Sequence, residues 1–379
     1  MKGRIHRRNI SGCGLAGMMS EDGRLMSGEA IIRSMEILHD RSNGLGGGFA
    51  AYGIYPDKKD YYAFHIMYDD VYAQSQAEEL LGEWFHVETE EEIPTKKVPG
   101  VGKAPLLWRY FVLPKPSKLD GCTDEEDFVI ESVMRINTII PGAFIFSSGK
   151  NMGAFKAVGY PEDVGRFYRL DEYEAYTWIG HGRFPTNTPG WWGGAHPFTI
   201  LDWALVHNGE ISSYGINKRY LESFGYKCTM LTDTEVGAYA FDLLLRKHKL
   251  PVEVACKVLS APFWDEIDRM KEKGDPAADV YEALRVVYGG ILLNGPFAFI
   301  VGHTNGMIAL ADRVKLRPMI AARKDDMLYV ASEEAAIREI SPELDKIWNP
   351  KAGEPVIGTL KNPVKKDSAA VRQLEGTVA

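Results

Sequence analysis

The stretch Cys13-Gly14-Leu15-Ala16-Gly17-Met18-Met19 decides how the sequence is interpreted, because its cysteine directly follows a short basic segment. Residues 1–12 carry basic side chains but no apolar run that would cross a membrane, so they predict a removable leader. Cleavage after Gly12 would give Cys13 a free α-amine with a pKa of about 7.7 to 8.0, which could serve as the base for its own thiol. The alternative is a structural cysteine that packs as a small hydrophobe.

Composition limits the classes of protein to consider. The 379 residues, 45% hydrophobic and 25% charged, predict a globular chain with either one large core and an insertion or two domains. A net charge of -8, with no basic stripe after residue 12, argues against general binding to nucleic acid or anionic lipid. Because no apolar run approaches the length of a bilayer span, we expect no membrane segment and a cytoplasmic location.

The four cysteines are Cys13, Cys122, Cys228 and Cys256, which are scattered and form no C-x-x-C pair. This spacing predicts neither a metal nor an iron–sulfur site within the chain. So few cysteines in so long a chain also argue against a secreted disulfide framework, and we expect reduced thiols.

Residues 57–148 differ in character from the sequence on either side. Their patterns predict the order strand, helix, strand, strand, helix, strand, which is typical of a ferredoxin-like unit. The predicted elements are Tyr61–Tyr68, Ala73–Phe85, Leu106–Leu113, Asp124–Asn137 and Ala143–Ser147, with an acidic stretch at Glu88–Glu92. We therefore predict an inserted α+β subdomain at 57–148, a main domain at 13–56 and 149–360, and a loose tail at 361–379.

Outside this segment, sheet and helix patterns alternate in blocks, as in an α+β layered fold. Helices are predicted at Ser27–His39, Thr232–His248, Val252–Leu259 and Ala277–Val287. Strands are predicted at Phe49–Tyr55, Tyr176–Gly180, Trp203–His207, Phe297–His303, Met307–Ala311, Pro318–Ala322 and Met327–Ala331. Gly44–Gly48 is predicted as a turn, and Thr232 with Glu235 as a capping box.

Three polar stretches end or begin these elements: His181-Gly182-Arg183-Phe184-Pro185-Thr186-Asn187, His207-Asn208-Gly209-Glu210 and Thr232-Asp233-Thr234-Glu235. Singly, each has an ordinary explanation. An Asn-Gly pair is typical of a turn, Thr-Asp-Thr-Glu of a helix start, and an arginine after a strand of a surface charge.

Together with Cys13, the three stretches resemble, in order and type, the glutaminase domain of class II glutamine amidotransferases, which are N-terminal nucleophile hydrolases. The likeness is greatest to the amidotransferase part of glutamate synthase. It covers Cys13 to about Tyr55 and Gly149 to about Arg338. It also includes Ala195-His196-Pro197-Phe198, Ala311-Asp312-Arg313, Leu316-Arg317-Pro318 and Tyr329-Val330-Ala331-Ser332-Glu333. The resemblance implies a four-layer αββα sandwich, with the segment 57–148 as an insertion.

The resemblance also implies roles that suit the hydrolysis of a carboxamide. Cys13 would supply the thiolate, while the side-chain amide of Asn208 and the backbone N–H of Gly209 would stabilise the oxyanion. Arg183 would bind the α-carboxylate of L-glutamine through two parallel hydrogen bonds, and Asp233 would accept its α-ammonium.

Further residues are assigned to substrate binding by the same resemblance. Arg41 corresponds to an arginine near the nucleophile, although Asp40-Arg41-Ser42-Asn43 departs from the usual His-Arg-Gly. Residues 188–194, with Trp191 and Trp192, match a loop that closes over glutamine, and the alternative is two core aromatics. His196 is assigned both to substrate binding and, with two other histidines, to the orientation of loops.

No acceptor site is evident in the sequence, so we expect ammonia to pass to a separate synthase subunit in a hetero-oligomer. The resemblance favours a glutamate synthase whose partner chain holds FMN and an iron–sulfur cluster, with no cofactor in this chain. Two alternatives are another acceptor, such as that of a methylated-glutamate synthase, and an uncleaved, inactive regulatory relative. Residues 57–148 are predicted either to form part of the partner interface or only to buttress the core.

Overall fold

The computed structural model describes residues 12–120, 124–185 and 190–364. Residues outside the described ranges include most of the predicted leader, Cys122 and the tail beyond residue 364. Residues 186–189, which contain the first two residues of the predicted substrate loop, also lie outside them. Within the described ranges, no helix combines the length and the apolar character that a bilayer crossing requires.

The strands of the described residues are, in chain order, β1 (Gly14–Ser20), β2 (Met26–Ser27), β3 (Gly47–Tyr52), β4 (Tyr62–Tyr68), β5 (Phe85–Glu92), β6 (Leu106–Pro114), β7 (Ala143–Ser147), β8 (Met152–Ala157), β9 (Glu174–Ala175), β10 (Thr177–Gly182), β11 (Phe198–Ile200), β12 (Trp203–Gly209), β13 (Phe297–His303), β14 (Gly306–Ala311), β15 (Ile320–Lys324), β16 (Met327–Ala331), β17 (Lys346–Trp348) and β18 (Val356–Thr359). The α-helices are α1 (Gly28–Ile37), α2 (Val71–Trp84), α3 (Pro116–Leu119), α4 (Glu125–Ile139), α5 (Pro161–Phe167), α6 (Tyr214–Glu222), α7 (Asp233–Phe241), α8 (Val252–Leu259), α9 (Trp264–Glu272), α10 (Ala277–Tyr288) and α11 (Glu334–Ile340).

Two antiparallel sheets form the centre of the main domain. One has seven strands in the order β17-β15-β16-β1-β10-β3-β8, and the other has five in the order β11-β12-β13-β14-β18. Successive side chains of β1 point to opposite faces of their sheet. Leu15 and Met19 therefore contribute to the core between the two sheets, whereas Ala16 and Met18 face the outer helical layer.

Helices cover the outer face of each sheet. Helices α1 and α5 pack on the seven-stranded sheet, and α7 packs on β11 and β12 of the five-stranded sheet. The order of layers is therefore helix, sheet, sheet, helix. This arrangement confirms the predicted four-layer αββα sandwich of an α+β protein.

The predicted insertion contains a separate four-stranded antiparallel sheet with the order β5-β6-β4-β7. Strand β6 lies between β4 and β5, which α2 connects, and α4 connects β6 to β7. This is the split βαβ arrangement of a ferredoxin-like unit, as predicted. The domain boundaries at residues 56/57 and 148/149 remain a prediction.

The inserted sheet shares its core with the sandwich. One continuous group of buried side chains includes Phe64 and Ile66 of β4 as well as Leu205 of β12 and Val236 of α7. A buried charge cluster adds to this contact, because the guanidinium group of Arg246 binds carboxylates on both sides of the boundary. Its partners include Asp242 at 2.7 Å and Asp127 at 2.8 Å.

Several local predictions were wrong. Gly47 and Gly48 belong to β3 and not to a turn. The helix predicted to continue to His248 changes at Asp242 into a π-helical turn, Asp242–Lys247.

The predicted capping box at the start of α7 does not form. The hydroxyl of Thr232 accepts from the N–H of Thr234, whereas the carboxylate of Glu235 accepts from the N–H groups of Thr229 and Met230. Glu235 therefore stabilises the segment that precedes the helix and not the N-cap residue.

Candidate active site

A cavity of about 700 Å³ opens near the start of β1, the ends of β10 and β12, and the first turn of α7. It draws residues from both sheets of the sandwich. Its described lining residues are Gly12, Cys13, Phe144, Arg183, Phe184, Pro185, Trp191, Gly194, His196, His207, Asn208, Gly209, Glu210, Tyr214, Thr229, Met230, Leu231, Thr232, Asp233, Thr234 and Arg317.

Cys13 lies directly before β1, and the antiparallel pairing of β1 with β10 brings it beside Arg183. The backbone N–H of Phe184 donates to Sγ of Cys13 at 3.3 Å. Burial raises the pKa of the Cys13 thiol, while this N–H and the guanidinium groups of Arg183 and Arg317 act in the opposite direction. The thiol thus lies among groups that stabilise its thiolate form.

Asn208 and Gly209 lie together at the end of β12. The side chain of Asn208 is 1% exposed, and its Nδ2 has no hydrogen-bond partner among the described residues. Gly209 adopts a φ of 145°, and a Cβ there would lie 1.9 Å from the carbonyl oxygen of Pro296, so only glycine fits. Because an unsatisfied buried N–H is costly, the Asn208 amide is suited to donate to a ligand oxygen.

Arg183 and Asp233 place opposite charges on the cavity wall. Burial lowers the pKa of Arg183, although Cys13 and Asp233 act to raise it. Burial acts to raise the pKa of Asp233, but His207 and hydrogen bonds prevail and hold it below its usual value. One of these bonds comes from the N–H of Ile211 at 2.8 Å. A cation and an anion in one cavity match the charged groups of a free amino acid.

Three buried histidines connect the cavity wall to α7. Nε2 of His196 lies 2.8 Å from the hydroxyl of Thr234, and its Nδ1 lies 3.1 Å from Nδ1 of His181. Nε2 of His181 lies 2.9 Å from the carbonyl oxygen of His207. Burial lowers the pKa of His181 to about 3 and also lowers that of His196. His196 lines the cavity, but its ring nitrogens contact protein groups, which favours the orienting role.

The two tryptophans of the predicted substrate loop have different environments. Trp191 lines the cavity, is 37% exposed and meets the ring of Phe144 edge-on at 5.6 Å. Trp192 is instead partly buried and packs against the core, next to Phe167. The core alternative therefore applies to Trp192, whereas contact of Trp191 with glutamine stays a prediction. Phe144 belongs to β7, so the inserted sheet contributes directly to the cavity wall.

Gly12, Arg41 and Arg317 meet at one corner of the site. A Cβ on Gly12 would lie 3.7 Å from both Nη1 of Arg317 and Oδ1 of Asn208, and 3.8 Å from Nη1 of Arg41. Arg41 donates from Nε to Glu333 and is not among the described lining residues. Arg317 does line the cavity, and its Nε has no partner within the described ranges.

Comparison with known proteins agrees with this geometry. Residues 51–233 match the family of class II glutamine amidotransferases. The chain contains a class II glutamine amidotransferase domain. It is 51% identical over 366 residues to an uncharacterised protein of Archaeoglobus fulgidus, covering 96% of each chain. The matched family range begins after Cys13, so the family match itself does not include this cysteine.

Other similarities are more distant. The chain is 26% identical over 250 residues to the glutamate synthase [NADPH] large chain of Bacillus subtilis, covering 60% of this chain and 15% of that protein. A solved structure of glutamine phosphoribosylpyrophosphate amidotransferase from B. subtilis is 16% identical, with a TM-score of 0.47. It covers 94% of this chain, which spans 50% of the length of that structure.

Sequence reasoning thus brought together most of this amidotransferase's candidate site, namely Cys13, Arg183, Asn208, Gly209 and Asp233, together with Trp191 and His196. Arg317 and Phe144 were not singled out as site residues. The Leu316-Arg317-Pro318 motif is visible in the sequence, but only the fold shows that the Arg317 guanidinium acts to lower the pKa of Cys13. Nothing in the sequence marked Phe144. No group of metal-binding side chains occurs within the described ranges.

Proposed function

We propose that this chain hydrolyses L-glutamine to glutamate and ammonia, with Cys13 as the nucleophile after removal of residues 1–12. One observation carries the proposal: a single cavity unites the Cys13 thiol, the unpartnered amide of Asn208 and the opposite charges of Arg183 and Asp233. A thiol nucleophile with an amide donor serves acyl transfer, and the charge pair selects a free amino acid over a peptide.

The reaction follows from these groups. The thiolate of Cys13 attacks the carboxamide carbon, and the N–H groups of Asn208 and Gly209 stabilise the resulting oxyanion. The protonated α-amine of Cys13 gives its proton to the leaving nitrogen, so that ammonia departs and a thioester remains. Water, deprotonated by the same amine, then hydrolyses the thioester to glutamate and regenerates the thiol.

We further propose that the ammonia acceptor lies on a separate synthase subunit, and that the assembly is of the glutamate synthase type. The similarity to the glutamate synthase large chain of B. subtilis supports this assignment. FMN and an iron–sulfur cluster would belong to the partner. The product would then be glutamate made from 2-oxoglutarate.

The test compares the chain that begins at Cys13 with the chain that retains residues 1–12, using release of glutamate and ammonia from L-glutamine. We expect turnover only from the processed chain, where the α-amine is free. Cys13→Ala should abolish turnover, whereas Cys256→Ala, which alters a buried thiol of α8 away from the cavity, should retain it.

Two further outcomes decide the separate parts of the proposal. Full activity in a chain whose mass shows residues 1–12 still attached would contradict the N-terminal nucleophile mechanism. Affinity purification from source cells should recover a flavoprotein that makes glutamate with this chain. If the native protein is fully active and purifies alone under gentle conditions, the synthase assignment fails while the glutaminase assignment stands.

A further inference from the structure

Lys156 is a buried cation that takes no part in the proposed reaction. It lies on β8 and is 2% exposed. Its Nζ donates to the carbonyl oxygens of Gly193 at 2.9 Å and Pro197 at 3.4 Å, and it lies 4.5 Å from the centre of the Phe198 ring. Burying an ammonium group is unfavourable unless it is hydrogen-bonded. The two carbonyl groups therefore compensate this cation, and the cation in turn fixes their positions.

The contact with Gly193 extends to the cavity through Trp191. The N–H of Gly194 donates to the carbonyl oxygen of Trp191 at 3.2 Å, which closes a tight turn. A Cβ on Gly193 would lie 2.2 Å from Cζ3 of Trp191, and one on Gly194 would lie 2.3 Å from its Nε1. The indole therefore lies directly against the backbone that Lys156 holds. Movement of this turn would move the aromatic wall of the cavity.

Glu235 binds a second segment of the cavity wall, Thr229 and Met230, through backbone N–H groups, whereas Lys156 binds carbonyl groups. Glu235 is 1% exposed, and its two carboxylate oxygens accept from the N–H groups of Thr229 and Met230, each at 3.0 Å. These two residues line the cavity and lead through Leu231 and Thr232 into α7. Because α7 begins at Asp233, the carboxylate of Glu235 fixes the path of the chain toward the proposed ammonium-binding residue.

The two buried charges also interact with each other. Burial lowers the pKa of Lys156 to about 7, while Glu235 acts to raise it and Arg183 to lower it. Burial likewise raises the pKa of Glu235 to about 7, and its hydrogen bonds and Lys156 oppose this increase. Each charged form therefore supports the other in a poorly solvated region. Loss of either charge should therefore weaken the hydrogen bonds that Lys156 and Glu235 make to the two segments of the cavity wall.

We infer that Lys156 and Glu235 are positioning residues for glutamine, with Lys156 fixing the segment from Trp191 to Pro197 and Glu235 fixing Thr229 and Met230. The inference rests on the proposed glutaminase function. Neither residue is among the described lining residues, so each acts through the backbone it binds. Their effect should fall on substrate binding, because Cys13 and Asn208 are held by β1 and β12.

The experiment compares glutaminase kinetics of the wild type, Lys156→Met and Lys150→Met in the processed full chain. Lys156→Met keeps the shape of the side chain but removes its charge and its donors. We expect KM for glutamine to rise about 10-fold, below the roughly 10²-fold that a 1 Å misplacement can cost, with kcat changed less than about threefold. Lys150→Met is the matched control, because Lys150 pairs with Glu125 and does not line the cavity. Its kinetics should equal those of the wild type.

Hydrogen exchange of residues 190–198 gives a second readout that does not depend on turnover. The amides of Gly194 and Ala195 should exchange faster in Lys156→Met than in the wild type or Lys150→Met. Unchanged KM and unchanged exchange in folded Lys156→Met would overturn the inference. If Lys156→Met does not fold, Glu235→Gln decides, and an unchanged KM there has the same meaning. A wild type that lacks glutaminase activity would instead refute the proposed function, while exchange would still report on the segment.

Discussion

The inserted sheet and the sandwich cavity differ in whether their buried polar groups have hydrogen-bond partners. In the inserted sheet, Arg109 donates to Glu91 at 2.6 Å, to the hydroxyl of Tyr55 at 3.1 Å and to that of Tyr173 at 3.3 Å. The ring of His65 likewise contacts the Tyr55 hydroxyl and a backbone carbonyl, each at 2.8 Å. These groups satisfy one another, as expected for a structural network.

At the cavity, by contrast, buried polar atoms remain without partners among the described residues. Nδ2 of Asn208, Nε of Arg317 and Nε2 of His207 have none among the described residues. Folding has thus satisfied the polar groups of one region and left those of the other available to a ligand. The comparison shows that burial of polar groups alone does not mark a functional site. What distinguishes the cavity is that three buried polar atoms without partners in the described part of the chain come from residues lining the same space.

The largest expected effect concerns Asn208. Asn208→Ala should reduce kcat about 10²- to 10³-fold, as removal of one oxyanion donor does in other enzymes. The melting temperature should change little, because the lost donor has no partner in the free protein.

Asn217→Ala is the matched control, since its buried Nδ2 donates to the carbonyl oxygens of Gly290 at 2.9 Å and Leu292 at 3.1 Å. It should lower the melting temperature and leave kcat unchanged. An unaltered kcat in Asn208→Ala would show that the assigned oxyanion site is wrong.

Arg109→Met should show the reverse pattern. Loss of the guanidinium group leaves the hydroxyls of Tyr55 and Tyr173 without this donor, at a cost of about 1–3 kcal/mol in the free energy of unfolding. We expect kcat and KM for glutamine to stay at wild-type values, because Arg109 does not line the cavity. Urea unfolding and steady-state kinetics on the same preparation measure both quantities. A kinetic defect without loss of stability would show that the Arg109 network is not purely structural and would contradict the contrast with the cavity.

Phe144 tests the place where the two regions meet, and its expected effect is the smallest. Aromatic pairs contribute about 0.5–1.5 kcal/mol beyond area burial, so Phe144→Ala should release Trp191 and raise KM about two- to tenfold. Val71→Ala, an exposed substitution at the start of α2, is the control within the insertion. Equal KM values for both variants would limit the inserted sheet to a supporting role.

Sequence patterns predicted those elements whose signal is local. Strands such as Phe297–His303 and Met327–Ala331 agree exactly with β13 and β16, and Val252–Leu259 agrees with α8. Strand β8 was missed, because its residues are all buried and include a lysine, so no alternation of polar and apolar residues is visible.

The site could be predicted only as far as its motifs extend. Cys13, Arg183, Asn208 and Asp233 lie in recognisable stretches, whereas Lys156 resembles any surface lysine until the fold shows its burial. Glu235 was misassigned for a related reason. Its spacing from Thr232 fits a capping box, but the backbone of Thr229 and Met230 provides better-placed donors that only the folded loop reveals.

The inserted sheet and the sandwich share one continuous core, so the insertion cannot be deleted without exposing buried side chains of the sandwich. Its removal would expose the apolar side chains of Leu205 and Val236 to water and would leave Arg246 without Asp124 and Asp127. Whatever its history, the inserted sheet is therefore part of one cooperative unit. Substitutions in the inserted sheet should therefore change the melting temperature of the whole molecule. Point substitutions are better suited than deletion to separate its contribution to catalysis from its contribution to folding.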